Sequence, residues 1–189
     1  TTGDFNTALG SQSLSANTTA SSNTGIGYQT LKVNTTGAGN SALGFQSLVA
    51  NTTGASNTAL GNYSLFSNTT ADYNTAVGRS ALEANTTGAN NTAVGNQALN
   101  DNTTGTQNVA VGYQAFTNGT TGSYCTAIGV SALQAVVTGD NNTAIGRKAM
   151  YDNTSGADNT AVGNAALGNN TAGDNNTAVG MNALVANTT

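Results

Sequence analysis

The sequence predicts an all-β fold, a parallel β-solenoid (β-roll or β-helix) of eleven 17-residue coils. Glycine recurs at this interval eleven times, from Gly10 to Gly180, with no insertion or deletion between copies. The unit reads Asn-Thr-Ala-Val-Gly-x-x-Ala-Leu-x-x-Asn-Thr-Thr-Gly-x-x, and we number its positions 1 to 17 from the first Asn. A fixed period in this range is typical of solenoids, in which each repeat is one coil stacked on its neighbours. The unit is too short for two helices, and each of its glycines would cost a helix about 1 kcal/mol.

The first predicted strand covers the alternating segment Asn-Thr-Ala-Val-Gly. Residues two apart in a strand share a face, so positions 2 and 4 point one way and position 3 points the other way. Position 4 is Leu, Ile or Val in every coil, and position 2 is Thr or Ser except at Val109. We therefore expect positions 2 and 4 inside the coil, and the small residue of position 3 outside, against a close neighbour.

A second predicted strand surrounds position 9, which is Leu in nine coils, Phe116 in one and Met150 in another. This position is expected to point inward, and the small residue at position 8 is expected to lie on the opposite face. Glycines at positions 5 and 15 would reverse the chain between the strands. Position 5 never varies among the copies, which indicates a positive φ or a lack of room for a Cβ atom.

Two columns of Asn run along the predicted solenoid, at positions 1 and 12. Position 1 is Asn in ten coils and Cys125 in the other, while position 12 is Asn in nine, with Gly119 and Val136 as exceptions. Like residues in successive coils lie about 4.8 Å apart, so the amides can hydrogen-bond in a ladder. Both columns are predicted to be structural, and Cys125 is interpreted as a small buried residue rather than a reactive thiol.

Charged residues are few, and they fall only at positions 6, 7, 10, 11, 16 and 17. Because burying an unpaired charge is costly, these positions are expected to face water. The net charge is −4 and Lys and Arg are not clustered, so nucleic acid is not an expected partner. No apolar run is long enough to cross a bilayer, so membrane insertion is not expected.

The predicted core is thin, and the chain is expected to associate with other copies of itself. The small residues at positions 3 and 8 would let a second copy pack closely, most simply in a trimer. Residues 1–189 form a single repeat domain whose ends fall inside the repeat, whereas solenoids usually need capping units. We therefore expect a segment of a longer fibre, or a filament subunit whose ends pair head to tail.

No pattern typical of catalysis, metal binding or cofactor binding is present. The chain has no His, no acid pair at a repeated spacing and no nucleotide-binding fingerprint. Asp140, Asp158 and Asp174 lie in the turn at positions 15 to 17, but most coils carry Ala, Ser or Thr there, and calcium needs about six to eight oxygen ligands. The sequence therefore predicts a non-enzymatic protein with no metal and no cofactor, whose Asp residues stabilise turns.

Acceptor sequences for N-glycosylation recur at position 12, where Asn is followed by Thr-Thr or Thr-Ser. Shifted copies begin at Asn118 and Asn169. No sugar can attach to an Asn that points into a ladder, and O-linked sugars on the Thr-rich turn are the alternative. The candidate glycosylation sites are Asn17, Asn34, Asn51, Asn68, Asn85, Asn102, Asn153 and Asn187.

Two features favour a ligand-binding solenoid as the alternative function. Stacked Thr columns at positions 13 and 14 are similar to the threonine arrays of ice-binding solenoids, although adjacent residues of a strand face opposite ways. Aromatic residues Tyr28 and Phe45 share position 6 in successive coils, and Tyr63 lies nearby in the next coil. These three residues form a candidate patch for a carbohydrate or protein ligand.

The segment Asn-Thr-Ala-Val-Gly-x-x-Ala-Leu, with Asn108 to Gly112 as the closest copy, resembles the head repeats of YadA-type trimeric autotransporter adhesins. Similar repeats occur in phage tail fibres and large bacterial surface proteins. This resemblance implies a trimer of β-rolls displayed on a bacterial surface or a virion tail fibre, where it binds host matrix or other cells. The unit here is longer than the family's usual one by the Asn-Thr-Thr-Gly turn. The function expected from sequence is thus a structural segment of an extracellular fibre or adhesin, with a glycan or host-surface ligand as a candidate partner.

Overall fold

The computed structural model describes residues 2–135 and 137–189, and it contains eleven parallel strands stacked in chain order in one sheet. Each strand pairs in register with the same positions of the next coil, as Thr75 pairs with Thr92 and Val77 with Val94. The predicted β-solenoid is therefore confirmed. Val136, an exception in the position 12 column, lies outside the described residues. The strands β1 to β11 are Thr7–Leu9, Thr24–Ile26, Ser41–Leu43, Thr58–Leu60, Thr75–Val77, Thr92–Val94, Val109–Val111, Thr126–Ile128, Thr143–Ile145, Thr160–Val162 and Thr177–Val179.

The invariant glycine at position 5 ends each strand with a conformation that other residues rarely adopt. Gly95 has a φ of 138°, and a Cβ atom on it would overlap the carbonyl oxygen of Gly112 in the next coil. The same conflict recurs along the column because consecutive coils bring these backbones together. Both reasons inferred from the sequence for this glycine, a positive φ and a lack of space, are confirmed.

The second strand predicted around position 9 is wrong, because positions 6 to 11 form a turn. Positions 7 and 9 both adopt left-handed conformations, for example Ala165 at φ 53° and Leu167 at φ 48°. Position 17 is also left-handed, as at Asn175 with φ 58°. The turn still stacks on its neighbours through backbone hydrogen bonds, such as the one from Leu82 N to Ala98 O at 3.0 Å.

The core is filled by positions 3, 8 and 9, which corrects the expected orientation of the first strand and the expected outward orientation of position 8. Ala42 at position 3 is 2% exposed, whereas Leu43 at position 4 is 48% exposed. Leu48 at position 9 and Ser47 at position 8 are both fully buried. The left-handed turn holds positions 8 and 9 against the strand at such close range that only a small residue fits at position 3. The columns of small residues are therefore internal, and they are not the surface that would contact another copy.

The two Asn columns form buried hydrogen-bonded ladders, as predicted, and the ladders meet at position 15. The side-chain Nδ2 of Asn51 donates to Asn34 Oδ1 at 2.8 Å and to Gly54 O at 2.9 Å. From the other column, Asn40 Nδ2 donates to the same Gly54 oxygen at 2.8 Å. Asn40 Oδ1 accepts the backbone N–H of Asn57 in the next coil at 2.9 Å. Because the peptide and amide groups satisfy each other, the polar groups of the interior do not carry the cost of unmade hydrogen bonds.

Candidate functional site

The outer side of the sheet presents a continuous uncharged surface, which we call the aliphatic face. It consists of position 2, which is Thr, Ser or Val, together with position 4, which is Leu, Ile or Val. Because the strands pair in register, these side chains form two straight columns along the solenoid. The position 4 column consists of Leu9, Ile26, Leu43, Leu60, Val77, Val94, Val111, Ile128, Ile145, Val162 and Val179.

The aliphatic face is unusual because its apolar side chains are exposed or half-buried, while smaller side chains are buried behind them. Within one strand, Ile145 is 37% exposed and the neighbouring Ala144 is fully buried. Ten steps of about 4.8 Å give the face a length of roughly 50 Å. Exposed apolar patches of several hundred Å² on soluble proteins typically mark interaction surfaces. Sequence analysis missed this face, although position 3 never exceeds Ala in size and so indicates the more tightly packed side.

The candidate patch residues Tyr28, Phe45 and Tyr63 come together in the structure, and Phe66 joins them. The ring centroids of Tyr28 and Phe45 are 5.2 Å apart with planes inclined by 20°, which is a stacked pair. Tyr63 packs edge-on against Phe45 at 5.4 Å and against Phe66 at 5.8 Å. We call these four residues the aromatic cluster. Sequence analysis missed Phe66, which lies at position 10, three residues after Tyr63.

A ladder of Gln side chains at position 7 runs beside the aromatic cluster. Gln29 Nε2 donates to Gln12 Oε1, and Gln46 Nε2 donates to Gln29 Oε1, both at 2.7 Å. These residues directly follow Ser11, Tyr28 and Phe45 in the chain. The ladder therefore holds amide groups in fixed positions next to the aromatic cluster.

Most of the candidate glycosylation sites are buried in the position 12 ladder. The side chains of Asn34, Asn51, Asn68, Asn85, Asn102 and Asn153 are fully buried. A sugar on such an Nδ2 atom would break hydrogen bonds such as the one from Asn85 to Gly88 O at 3.0 Å. Asn17 and Asn187, in the first and last coils, are half-buried, and the shifted Asn169 is exposed. Most of the candidate sites are therefore inaccessible to a glycosylating enzyme in the folded chain. Glycosylation at the remaining sites stays a prediction.

The threonines considered for ice binding lie in a turn rather than on a flat strand. At position 13, Thr35 Oγ1 donates to Thr52 O of the next coil at 3.0 Å, and Thr103 Oγ1 donates to Thr120 O at the same distance. These hydroxyl groups therefore join consecutive coils. The position 13 threonines therefore form no free array of outward-facing donors, whereas position 14 threonines such as Thr87 and Thr104 are exposed.

Where position 16 is Asp, its carboxylate connects its own coil to the preceding one. Asp72 Oδ1 accepts the backbone N–H of Ala55 at 2.7 Å, and Asp140 Oδ1 accepts that of Ser123 at 2.8 Å. The carboxylates thus stabilise the stack between coils rather than within their own turn. No group of three or more His, Cys, Asp or Glu residues is placed to bind a metal within the described ranges.

All charged side chains are exposed or half-buried, as the sequence predicts. At position 11, partial loss of solvent around the carboxyl group, together with the nearby charge of Glu83, raises the pKa of Asp101 above its ordinary value. Lys148 Nζ lies 4.8 Å from the centre of the Tyr151 ring, a cation–π contact. A shallow groove of about 210 Å³ opens beside this contact, lined by Asn118, Gln134, Ala135, Tyr151 and Asp152.

Both Asn ladders are interrupted in coils 7 and 8, where Cys125 and Gly119 replace Asn. The buried Cys125 Sγ approaches Gly139 O at 3.5 Å, the carbonyl that a position 1 amide would otherwise reach. Burial, followed by the charge of Asp140, raises the pKa of this thiol to about 11. The interpretation of Cys125 as a buried structural residue agrees with this environment, since a thiol with a raised pKa is a poor nucleophile.

Comparisons with protein-family models, with curated proteins and with solved structures found no match to this chain. Among the described residues, no helix has the length and apolar character required to span a membrane. The aliphatic face and the aromatic cluster are the two surfaces of the solenoid that suggest a function.

Proposed function

We propose that this chain is a non-enzymatic structural segment of an extracellular fibre or surface adhesin, and that copies associate side by side through the aliphatic face. The observation that carries the proposal is that the branched aliphatic side chains at position 4 lie in register on all eleven strands, where each is exposed or half-buried. An isolated solenoid gains nothing from this arrangement, because contact with water leaves the apolar area unburied. A second copy of the same face would bury it.

The size of the aliphatic face is sufficient for a small interface between copies. Two outward columns are separated by about 7 Å, so with side-chain width the face covers on the order of 500 Å². Burial against an equal surface would remove about 1,000 Å² in total, which is the minimum for a biological interface and less than the roughly 1,200–2,000 Å² of stable ones. No residue on the face is charged, so association would not bury an unpaired charge. Two copies that meet face to face would form a dimer, whereas in the trimer that the resemblance to adhesin head repeats favours, three such faces would meet around the axis.

Sedimentation of matched lysine variants tests side-by-side association. Val77→Lys together with Val94→Lys places two charges at the centre of the face, whereas Thr87→Lys together with Thr104→Lys places two charges on exposed turns of the same coils. We expect the unaltered chain and the turn variant to sediment as oligomers, and the face variant to sediment as a monomer with an unchanged circular dichroism spectrum. A monomeric unaltered chain, or a face variant that remains oligomeric, would overturn the proposal.

A location outside the cell, or on a virion tail fibre, forms part of the same proposal and is tested separately. This location is supported by the resemblance to repeats that are displayed on bacterial surfaces and virions, and by the extended architecture of stacked coils. Antibodies against the solenoid should label intact producing cells or virions without permeabilisation. Labelling that appears only after permeabilisation would contradict this location.

Ice binding through the aliphatic face is a second candidate, favoured by the regular array of Thr and branched aliphatic side chains. Thr occupies position 2 in nine of the eleven coils, and the sheet repeats these side chains about every 4.8 Å. The array requires a free face, so this activity and side-by-side association exclude each other in the same molecule. Thermal hysteresis of the monomeric fraction, lost in the Val77→Lys and Val94→Lys variant, would support this candidate, and its absence would eliminate it.

A further inference from the structure

We propose that the aromatic cluster is a binding platform for a neutral polysaccharide, in which one sugar ring stacks on the open side of Tyr28. The platform lies on positions 6, 7 and 10, not on the aliphatic face, and the proposal does not depend on side-by-side association. It assigns a ligand class to a surface that the fold itself does not require.

The cluster concentrates aromatic side chains where the core does not need them. The chain has six Tyr and four Phe, and four of these ten residues contact one another in three successive coils. Tyr28 is 43% exposed and Phe45 is 39% exposed, so burial does not account for these two rings. Mutual packing restricts the rings before a ligand arrives, and this lowers the entropic cost of binding.

The stack of rings ends at Tyr28 and leaves one side of that ring uncovered by an aromatic neighbour. Phe45 occupies position 6 in the following coil, whereas position 6 of the preceding coil is Ser11. Coils 1 and 2 are adjacent at this point, since Gln29 N donates to Ser11 O at 3.0 Å. The small side chain of Ser11 leaves space for a flat ligand. The C–H groups on one face of a pyranose ring match the negative face of an aromatic ring.

The Gln ladder supplies hydrogen-bonding groups beside this open ring. Gln29 uses both its amide nitrogen and its amide oxygen within the ladder. At the two ends, Gln12 Nε2 and Gln46 Oε1 have no side-chain hydrogen bond to other described residues. The Gln12 donor lies one coil before Tyr28, on the side where the sugar would stack, whereas the Gln46 acceptor lies one coil after Tyr28. A sugar hydroxyl group can use the Gln12 donor, because it accepts as well as donates.

The charge around the cluster favours a neutral ligand. Within positions 6 to 11 of the first four coils, Lys32 is the single charged residue. A polyanion or a nucleic acid would require several clustered cations. A flat ligand rich in hydroxyl groups needs the ring and amide chemistry that is present here.

Affinity electrophoresis in gels that contain a soluble polysaccharide tests the proposal. The probes are hydroxyethylcellulose, xylan and mannan, with heparin as the anionic comparison. We expect at least one neutral polysaccharide to retard the chain, and Tyr28→Ala or Phe45→Ala to weaken that retardation at least tenfold. Tyr28→Trp, which keeps an aromatic face, should retain it.

The matched control is Tyr113→Ala, which removes an exposed ring at the same position 6 of coil 7. Tyr113 is 51% exposed, but its column neighbours are Asn96 and Val130, so it stacks on no ring. This variant should bind as the unaltered chain does. The proposal is overturned if no neutral polysaccharide retards the chain, if heparin alone does, or if Tyr113→Ala weakens binding as much as Tyr28→Ala. The aliphatic-face lysine variants should still bind, which separates this result from the test of assembly.

Discussion

The ring of Phe116 occupies the space that the position 12 side chain fills in regular coils, and residue 119 is correspondingly reduced to Gly. A Cβ atom on Gly119 would overlap Phe116 Cε2. The replacement interrupts the amide ladder, and the buried Asn102 Oδ1 has no hydrogen-bond partner among the described residues. The large ring at position 9 and the Gly at position 12 therefore belong together, because the Gly provides the space that the ring fills.

Phe116 and Gly119 should show strong energetic coupling. Gly119→Asn alone would force an amide into the space of the ring, and Phe116→Leu alone would leave a void, so each should lower the free energy of unfolding by about 1–3 kcal/mol. The double variant restores the consensus and provides an amide that can donate to Asn102 Oδ1. We expect it to be at least as stable as the unaltered chain in urea denaturation. Additive losses in the double variant would contradict this relationship.

Glycine at position 5 should be far less replaceable than glycine at position 17. Gly95→Ala combines a left-handed φ with overlap against the next coil, so we expect a loss of about 3 kcal/mol or more. Gly39→Ala is the control, since its φ of 70° is shared by non-glycine residues at position 17 and a Cβ atom there would be 3.5 Å from Ser56 Oγ. This control should lose less than about 1 kcal/mol. Similar melting temperatures for the two variants would contradict the assignment.

Left-handed residues at position 7 offer a way to stabilise the solenoid. Ala165 has a φ of 53°, a conformation that costs an L-residue about 1–2 kcal/mol, so Ala165→Gly should raise the free energy of unfolding by about 0.5–1 kcal/mol. The adjacent Ala166→Gly, at a buried position without a positive φ, should instead lower it. Thermal unfolding of the pair checks the sign, and a lower melting temperature for Ala165→Gly would refute the prediction.

The sequence was sufficient to predict the solenoid, because periodicity reports which residues are equivalent in successive coils. Residues at the same position of each repeat must stack on one another. This alone predicts the Asn ladders, the invariant glycine and the exposed charges, whatever conformation the backbone of a coil adopts. The inward orientation of Leu48 was predicted correctly for the same reason.

The prediction of which side chains point inward was wrong for the first strand, because that direction depends on how closely the rest of the coil packs behind the strand. Leu43 and Ala42 alternate in the same strand, and the expectation that the larger apolar residue is buried was wrong. The left-handed conformation at position 9 brings Leu48 close behind the strand. A Leu residue rarely adopts this conformation, so the sequence does not indicate it. The aromatic cluster was predicted in part because Tyr28 and Phe45 occupy the same position, whereas Phe66 approaches from another position of its coil.

The Cys125 thiol should be unreactive in the folded protein and should make stability depend on pH in the alkaline range. Burial raises its pKa from the ordinary 9.0 to about 11, so the folded state binds the thiol proton more tightly than the unfolded state does. The stabilising contribution is therefore complete below pH 9 and is lost as the pH rises through about 11. Relative to Cys125→Ala, which has no titrating group, the free energy of unfolding should fall by roughly 2 kcal/mol across this range. A thiol-specific chromogenic reagent at pH 8 should react only after denaturation, and rapid reaction of the native chain, or parallel pH profiles for the two proteins, would contradict the burial of this group.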